Sequence, residues 1–247
     1  MKLNEIIRFA DEIAPFDSAA EWDNSGLLVG SPDAEISRAL LALDITPAVI
    51  AEAREKGAEL IISHHPVIFS PLRTLNPDHP AYRLAKYDLA ALCLHTDLDR
   101  ARQGVNTALG DALALENTAL YPEHFLLVGD TPKPYTAAEF AAFLKERLHA
   151  PSVRFTDGAV TRVAVSSGGG GEGVELAEGF GADAFVTGEM KHHQYLYAAA
   201  HGIAAFDAGH FSTEDVVIAP LRALFAARFP DVTFIVSEAS VCPYQAI

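Results

Sequence analysis

The feature that most restricts the fold of this chain is a rhythm. Short runs rich in leucine and β-branched residues alternate with windows whose apolar residues recur at helical spacing. "SRALLALDI" reads as a strand, and Thr46-Pro47 after it supplies an N-cap with proline at the first helical position. "PAVIAEAREKGA" is then a helix closed by Gly57, and "ELIISHH" is the next strand. The helix "HPAYRLAKYDLA", the strand "AALCLHTDLD" and the helix "GVNTALGDALAL" extend the pattern. The apolar runs are continuous, as they are when helices cover both faces of a sheet. Such alternation predicts an α/β fold with mostly parallel sheets flanked by helices.

The rhythm changes around "NTALYPEHFLLVGDTPKPYT", where three prolines suggest a linker or crossover. Thr136 and Glu139 then form a capping box for "AAEFAAFLKERLHA", and the alternation resumes. Strands are expected at "RVAVSS", "DAFVTGE", "IAAFDAG" and "VTFIVSEAS". Helices are expected at "GVELAEGFG", "HHQYLYAAAHG" and "TEDVVIAPLRALFAARF". The simplest organisation is two similar α/β lobes, 1–125 and 126–247, with the last strand a candidate to return to the first lobe.

Several functions are excluded by composition. The formal net charge is −15, from 33 acidic and 18 basic residues, a field that repels phosphate backbones and anionic lipid. That argues against non-specific nucleic-acid or membrane binding, though a local basic pocket remains open. No window approaches the roughly 20 apolar residues of a membrane-spanning helix. The amphipathic start, "MKLNEIIRFADEIAP", is not a signal peptide. Cys93 and Cys242 make no disulfide framework, and Cys93 reads as a small core residue. The expected location is the cytoplasm.

The chemistry is concentrated where strands end. "AELIISHHPVIFS" closes an apolar run on His64 and His65. In a regular strand neighbouring side chains face opposite ways, but at a strand end the pleat relaxes, and adjacent imidazoles there can grip different ions of a close pair. One packed and one solvent-facing histidine is the plainer alternative. Ligands of open α/β sheets collect beyond the carboxyl ends of strands, and other polar clusters fall at such ends too. These are His95, Asp97 and Asp99; Glu189, His192 and His193; and Asp207, His210, Glu214 and Asp215. Imidazole with carboxylate suits zinc, iron, manganese or nickel, whereas calcium takes oxygens. His210 and Glu214 face one way if the turn between them is coiled; equally, Glu214 and Asp215 can simply complement a helix dipole, with Ser212 or Thr213 as N-cap. "SSGGGGEGVELAEG" between a strand and a helix is either an anion cradle or a flexible connection. It lacks the Gly-Lys-Ser/Thr of a P-loop. No nucleophile elbow or catalytic cysteine stands out.

Taken together and in order, "AEWDNSGLLVG", "ISHHPVIF", "LHTDLDRARQGVN", "VTGEMKHHQ" and "GHFSTE" resemble the Nif-three-like family, the GTP cyclohydrolase I type 2 homologues, from about Trp22 onward. The length resembles the short form without the central insert domain. The resemblance implies a dinuclear metal site in the cleft between two lobes, with two divalent ions per subunit held by His64, His65, Asp99, His210 and Glu214, the last as bridging carboxylate. It also implies a homo-oligomer, a hexameric ring. His95, Glu189, His192 and His193 would line the pocket, and Glu189, His95 and His193 are the candidates for acid–base catalysis. Asp23 and Asn24 belong to the family's N-terminal motif. Family members usually carry Asn where this chain has Asp97, which adds an acidic group near the site. Two functions follow: a metal-dependent hydrolase acting on a small, nucleotide-like substrate, or a non-enzymatic metal-binding assembly or metal-delivery protein.

Overall fold

In the computed structural model, which describes residues 1–247, the elements run α1 (Leu3–Ile13), β1 (Gly26–Val29), β2 (Arg38–Ala42), α2 (Pro47–Glu55), β3 (Leu60–Ser63), α3 (Pro80–Lys86), β4 (Ala90–Cys93) and α4 (Thr96–Arg100). Next come α5 (Val105–Ala112), β5 (Glu116–Tyr121), β6 (Leu126–Thr136), α6 (Ala137–Arg147), β7 (Arg154–Phe155) and β8 (Ala159–Ser166). The chain continues through α7 (Val174–Ala177), β9 (Ala184–Thr187), α8 (His192–His201), β10 (Ala204–Asp207), α9 (His210–Glu214), α10 (Ile218–Arg228) and β11 (Thr233–Val236). No helix is long and apolar enough to cross a membrane.

The elements form two units, each with its own sheet. The first comprises Met1–Gly104 and Ile218–Val241, the second Val105–Val217 and Cys242–Ile247. This division precedes the boundary expected near residue 125, because β5 is the outer strand of the second sheet and pairs antiparallel with β6. The returning strand belongs to the first unit: β11 lies parallel to β2, from Thr233 against Arg38 to Val236 against Leu41.

The first sheet has the order β1-β4-β3-β2-β11. Only the β1–β4 pairing is antiparallel. On one face Leu40, Ala42, Ile61 and Ala91 pack with Val49, Ile50 and Ala53 of α2 and Leu84 of α3. Aromatic packing joins the terminal helices of the unit: Phe9 of α1 meets Phe225 and Phe229 edge-on, with ring centroids 5.4 and 5.5 Å apart. Such pairs contribute about 0.5–1.5 kcal/mol beyond their buried area. The N-cap of α2 is as expected, with Thr46 Oγ1 accepting from the Val49 N–H at 3.2 Å.

The second sheet departs from the mostly parallel expectation. In the order β5-β6-β8-β9-β10-β7, the β5–β6, β6–β8 and β10–β7 pairings are antiparallel, and only β8–β9 and β9–β10 are parallel. The supposed linker is largely β6. Its two prolines, Pro132 and Pro134, fall where the β6–β8 register shifts between Asp130 and Tyr135, a bulged stretch that tolerates residues without an N–H. Alternation along the inner strands sorts the core into two layers. Val163, Val165, Ala184, Val186 and Phe206 pack with Leu109 and Phe140 of α5 and α6, while Ala164, Phe185 and Ala205 pack with Val174, Ala177 and Ala198 of α7 and α8. The capping box of Thr136 and Glu139 is present.

Candidate metal centre

In each unit the parallel strands end at one edge of the sheet and deliver the polar clusters there. In the first unit these are neighbouring strands β2, β3 and β4. Strand β3 stops at Ser63 and β4 at Cys93, so His64 and His65 leave the pleat together. The expected strand through Asp99 stops short, and His95 is instead the residue before helix α4, which carries Asp97 and Asp99. The centroids of the His64, His65 and His95 rings lie 5.0, 5.2 and 5.6 Å apart in pairs. One potential ligand atom from each of the three falls within 4.8 Å of the other two.

What orients these rings is equally specific. His64 Nδ1 donates to the Leu94 carbonyl at 2.9 Å, His65 Nδ1 to Asp44 at 2.7 Å, and His95 Nδ1 to Asp23 at 2.7 Å. An oxygen acceptor at Nδ1 assigns the proton to that nitrogen and makes Nε2 the basic one, the nitrogen a metal would take. His64 Nε2 lies 3.7 Å from Asp99 Oδ1, too long for a hydrogen bond. It matches two ligands of one ion, whose atoms at bonds of about 2.0–2.2 Å fall roughly 3–4 Å apart.

Asp23 is buried behind His95. Burial alone would raise its carboxyl pKa, but hydrogen bonds from His95 and Thr96 outweigh that and hold it well below the usual carboxylate range. It is therefore an ionised partner that strengthens the imidazole as a ligand. Asp97 differs. Its side chain is buried, and Oδ1 accepts from Ser25 Oγ at 2.5 Å and the His95 N–H at 2.7 Å. Burial pushes its carboxyl pKa up, and Oδ2 is buried without a hydrogen-bond partner. Asp97 thus shapes the turn that carries His95. Cys93 is a buried core residue whose thiol donates to the His64 carbonyl at 3.1 Å.

In the second unit the parallel strands β8, β9 and β10 deliver Gly168, Glu189 and His210. Helix α9 starts at His210 after Gly209, not at the serine or threonine expected as N-cap. His210 and Glu214 are therefore one helical turn apart, with Nε2 and Oε2 separated by 3.1 Å, and Glu214 is buried. His210 Nδ1 faces Glu189 Oε1 at 3.0 Å, the same arrangement as at the other three imidazoles.

The glycine run serves this pair. Gly168 has φ +55°, and a Cβ there would collide with the Glu214 carboxylate and come within 3.1 Å of His210 Nε2. The run is therefore tightly placed at Gly168, against the Glu214 and His210 side chains. Glu189 and His210 also line a cavity of about 550 Å³ with Arg154, Asp207 and Tyr244. His193 lies outside that cavity and is exposed with His192 at the start of α8. His95 groups with His64 and His65 as a set that could hold a metal ion. Asp44 was missed from sequence, although it sits just beyond β2, where the strand-end rule would have found it.

A family model for Duf34/NIF3 (NGG1p interacting factor 3) matches residues 1–243. A Clostridium perfringens protein named as a GTP cyclohydrolase 1 type 2 homolog is 31% identical over 262 aligned positions, covering all of both chains. Among solved structures, a Staphylococcus aureus protein superposes with a TM-score of 0.94 at 29% identity, covering 100% of this chain and 99% of the other. Reduced HcgD from Methanocaldococcus jannaschii does so with a TM-score of 0.82 at 31% identity, covering 96% and 98%.

Proposed function

Since the chain belongs to the Duf34/NIF3 family, we propose that it is a dinuclear metal-dependent hydrolase acting on a small, nucleotide-like substrate. In this reading His64, His65, Asp99, His210 and Glu214 would hold the ions, with His95 a further candidate ligand. The observation that carries it is the common treatment of four imidazoles. His64, His65, His95 and His210 each have Nδ1 held by an oxygen: His65 by Asp44 just beyond β2, His95 by Asp23 in the loop before β1, His210 by Glu189, and His64 by the Leu94 carbonyl. A histidine used only for packing needs no such uniform tautomer, whereas a metal ligand does.

Bound divalent ions would supply Lewis acidity and a water of lowered pKa. The protein's own contributions are separate. Glu189 lines the cavity and can take or return a proton while His210 orients it. Trp22 and Phe69, 61% and 52% exposed, stand near the His95 ring at centroid distances of 6.2 and 6.3 Å. Their open faces give a planar base somewhere to stack. This supports the nucleotide-like substrate class, and the curated relatives' name points the same way. Assembly into a homo-oligomeric ring belongs to the same proposal.

Elemental analysis of protein purified without added ions tests the ligands. His64→Ala and Glu214→Ala should each empty at least one metal position with the fold intact; full metal in both variants removes the assignment. A screen of GTP, cyclic nucleotides and phosphoesters tests the chemistry. Hydrolysis should be abolished by chelator and restored by metal. Full metal with no such hydrolysis would instead make the chain a metal-holding or metal-delivery protein.

A further inference from the structure

We propose that Asp207 is a positioning residue that sets His210 and Glu189 against each other; this rests on the reading of His210 as a metal ligand. Asp207 ends β10 and is buried. Its Oδ1 accepts from the Gly209 N–H at 3.3 Å. Its Oδ2 accepts from the Met190 N–H at 3.2 Å, from the Tyr195 hydroxyl at 3.0 Å, and from the Arg154 guanidinium. Met190 follows Glu189 and Gly209 precedes His210. One carboxylate therefore ties together the two backbone segments whose side chains meet at His210 Nδ1 and Glu189 Oε1.

The chemistry requires a carboxylate. Both oxygens accept, one from each segment, and an amide in the same place would turn an N–H toward one of the two backbone donors. The turn is also sterically fixed on its other side. Gly209 has φ +90°, and a Cβ there would lie 2.5 Å from the Tyr244 hydroxyl. The Arg154 ion pair covers only the outer side of this carboxylate, since the guanidinium side chain is 68% exposed and the Asp207 side chain 5% exposed; the inner side is held by the Met190 and Gly209 N–H groups. Tyr195 remains a donor, since burial and the neighbouring Asp207 charge push its hydroxyl pKa well up.

The test uses the full chain, Zn²⁺ as probe ion, and ¹⁵N-histidine NMR, with the His210 signals identified by their loss in His210→Ala. In Asp207→Asn, His210 should leave its single Nδ1–H tautomer for a mixture, and Zn²⁺ should bind about 10-fold more weakly or worse, the range for lost outer partners of a ligand. Arg162→Gln, whose ion pair with Asp130 lies outside this cavity, should keep both properties within twofold. A native tautomer and native Zn²⁺ affinity in Asp207→Asn would overturn the proposal. If His210→Ala itself leaves Zn²⁺ binding unchanged, the metal reading fails, and the tautomer, which needs no metal, still judges Asp207. Should Asp207→Asn not fold, amide exchange in the unaltered protein decides: slow exchange at Met190 and Gly209 supports the tie, and fast exchange at both overturns it.

Discussion

Replacing Gly168 with alanine isolates how closely the backbone approaches the candidate metal ligands. At φ +55°, a residue with a Cβ costs roughly 1–2 kcal/mol. The added carbon also overlaps the Glu214 carboxylate. The glycine cannot easily move away. Its N–H donates to Thr213 Oγ1 at 3.1 Å, and its carbonyl accepts from the Gly188 N–H at 3.0 Å and the Thr187 hydroxyl at 3.4 Å. The carboxylate must turn instead, which misplaces a ligand. The expected results are a fall in Tm of about 2–8 °C, at ~2–4 °C per kcal/mol for a chain of this size, and a loss of Zn²⁺ affinity of about 10-fold or more. Differential scanning calorimetry and isothermal titration measure the two. Gly169→Ala is the control, because a Cβ there meets nothing within 4 Å, and it should leave both unchanged or raise Tm slightly. Equal metal affinity and Tm in the two variants would refute the argument.

Further predictions concern the supports of the two sheets. Glu52 accepts from Lys56, Ser237 and the Glu238 and Ala239 N–H groups. Burial opposes its ionisation, but these bonds outweigh it and bring its pKa down to about 2 from 4.5. A lowered folded pKa stabilises above the unfolded value, so this contribution should be complete above pH 4.5 and fade as pH falls toward 2. Glu52→Gln should lose stability at pH 7, by about 1–3 kcal/mol after allowance for screening, and unfold with a shallower acid dependence in urea titrations followed by circular dichroism. Asp44→Ala should weaken Zn²⁺ binding by roughly 10-fold through His65 while moving Tm by no more than ~2 °C, read by calorimetric titration. His193→Ala should bind Zn²⁺ within twofold of the unaltered chain; a larger loss would return this histidine to the site.

The first unit was legible because its parallel strands bury both faces and end abruptly in polar residues, so that "LIISHH" carries both the strand and its two ligand candidates. The second sheet was less so. Two of its antiparallel members, β5 and β6, carry exposed and proline-containing segments, and Pro132 and Pro134 imitate a linker unless the bulge that accommodates them is known. The ligand candidates were found by type and position, but their supports were not. Nothing in sequence spacing says that Asp44 will meet His65, or that Asp207 will bridge two turns, since these contacts arise from the lateral order of strands. The glycine run gave no way to decide between a cradle and a hinge, because the decisive neighbour, Glu214, is remote in sequence.

The return of β11 to β2 has consequences for how the molecule is made. During synthesis β2 emerges early but must wait, its outer edge bare, until the whole second unit has been translated. A bare edge invites pairing with other chains, and the long closure slows the search for the right partner. The second unit, whose strands all come from one continuous stretch, is free to fold in the interval. A stop codon just after Val217 would therefore cripple the unit encoded first, leaving the later one with its full set of strands.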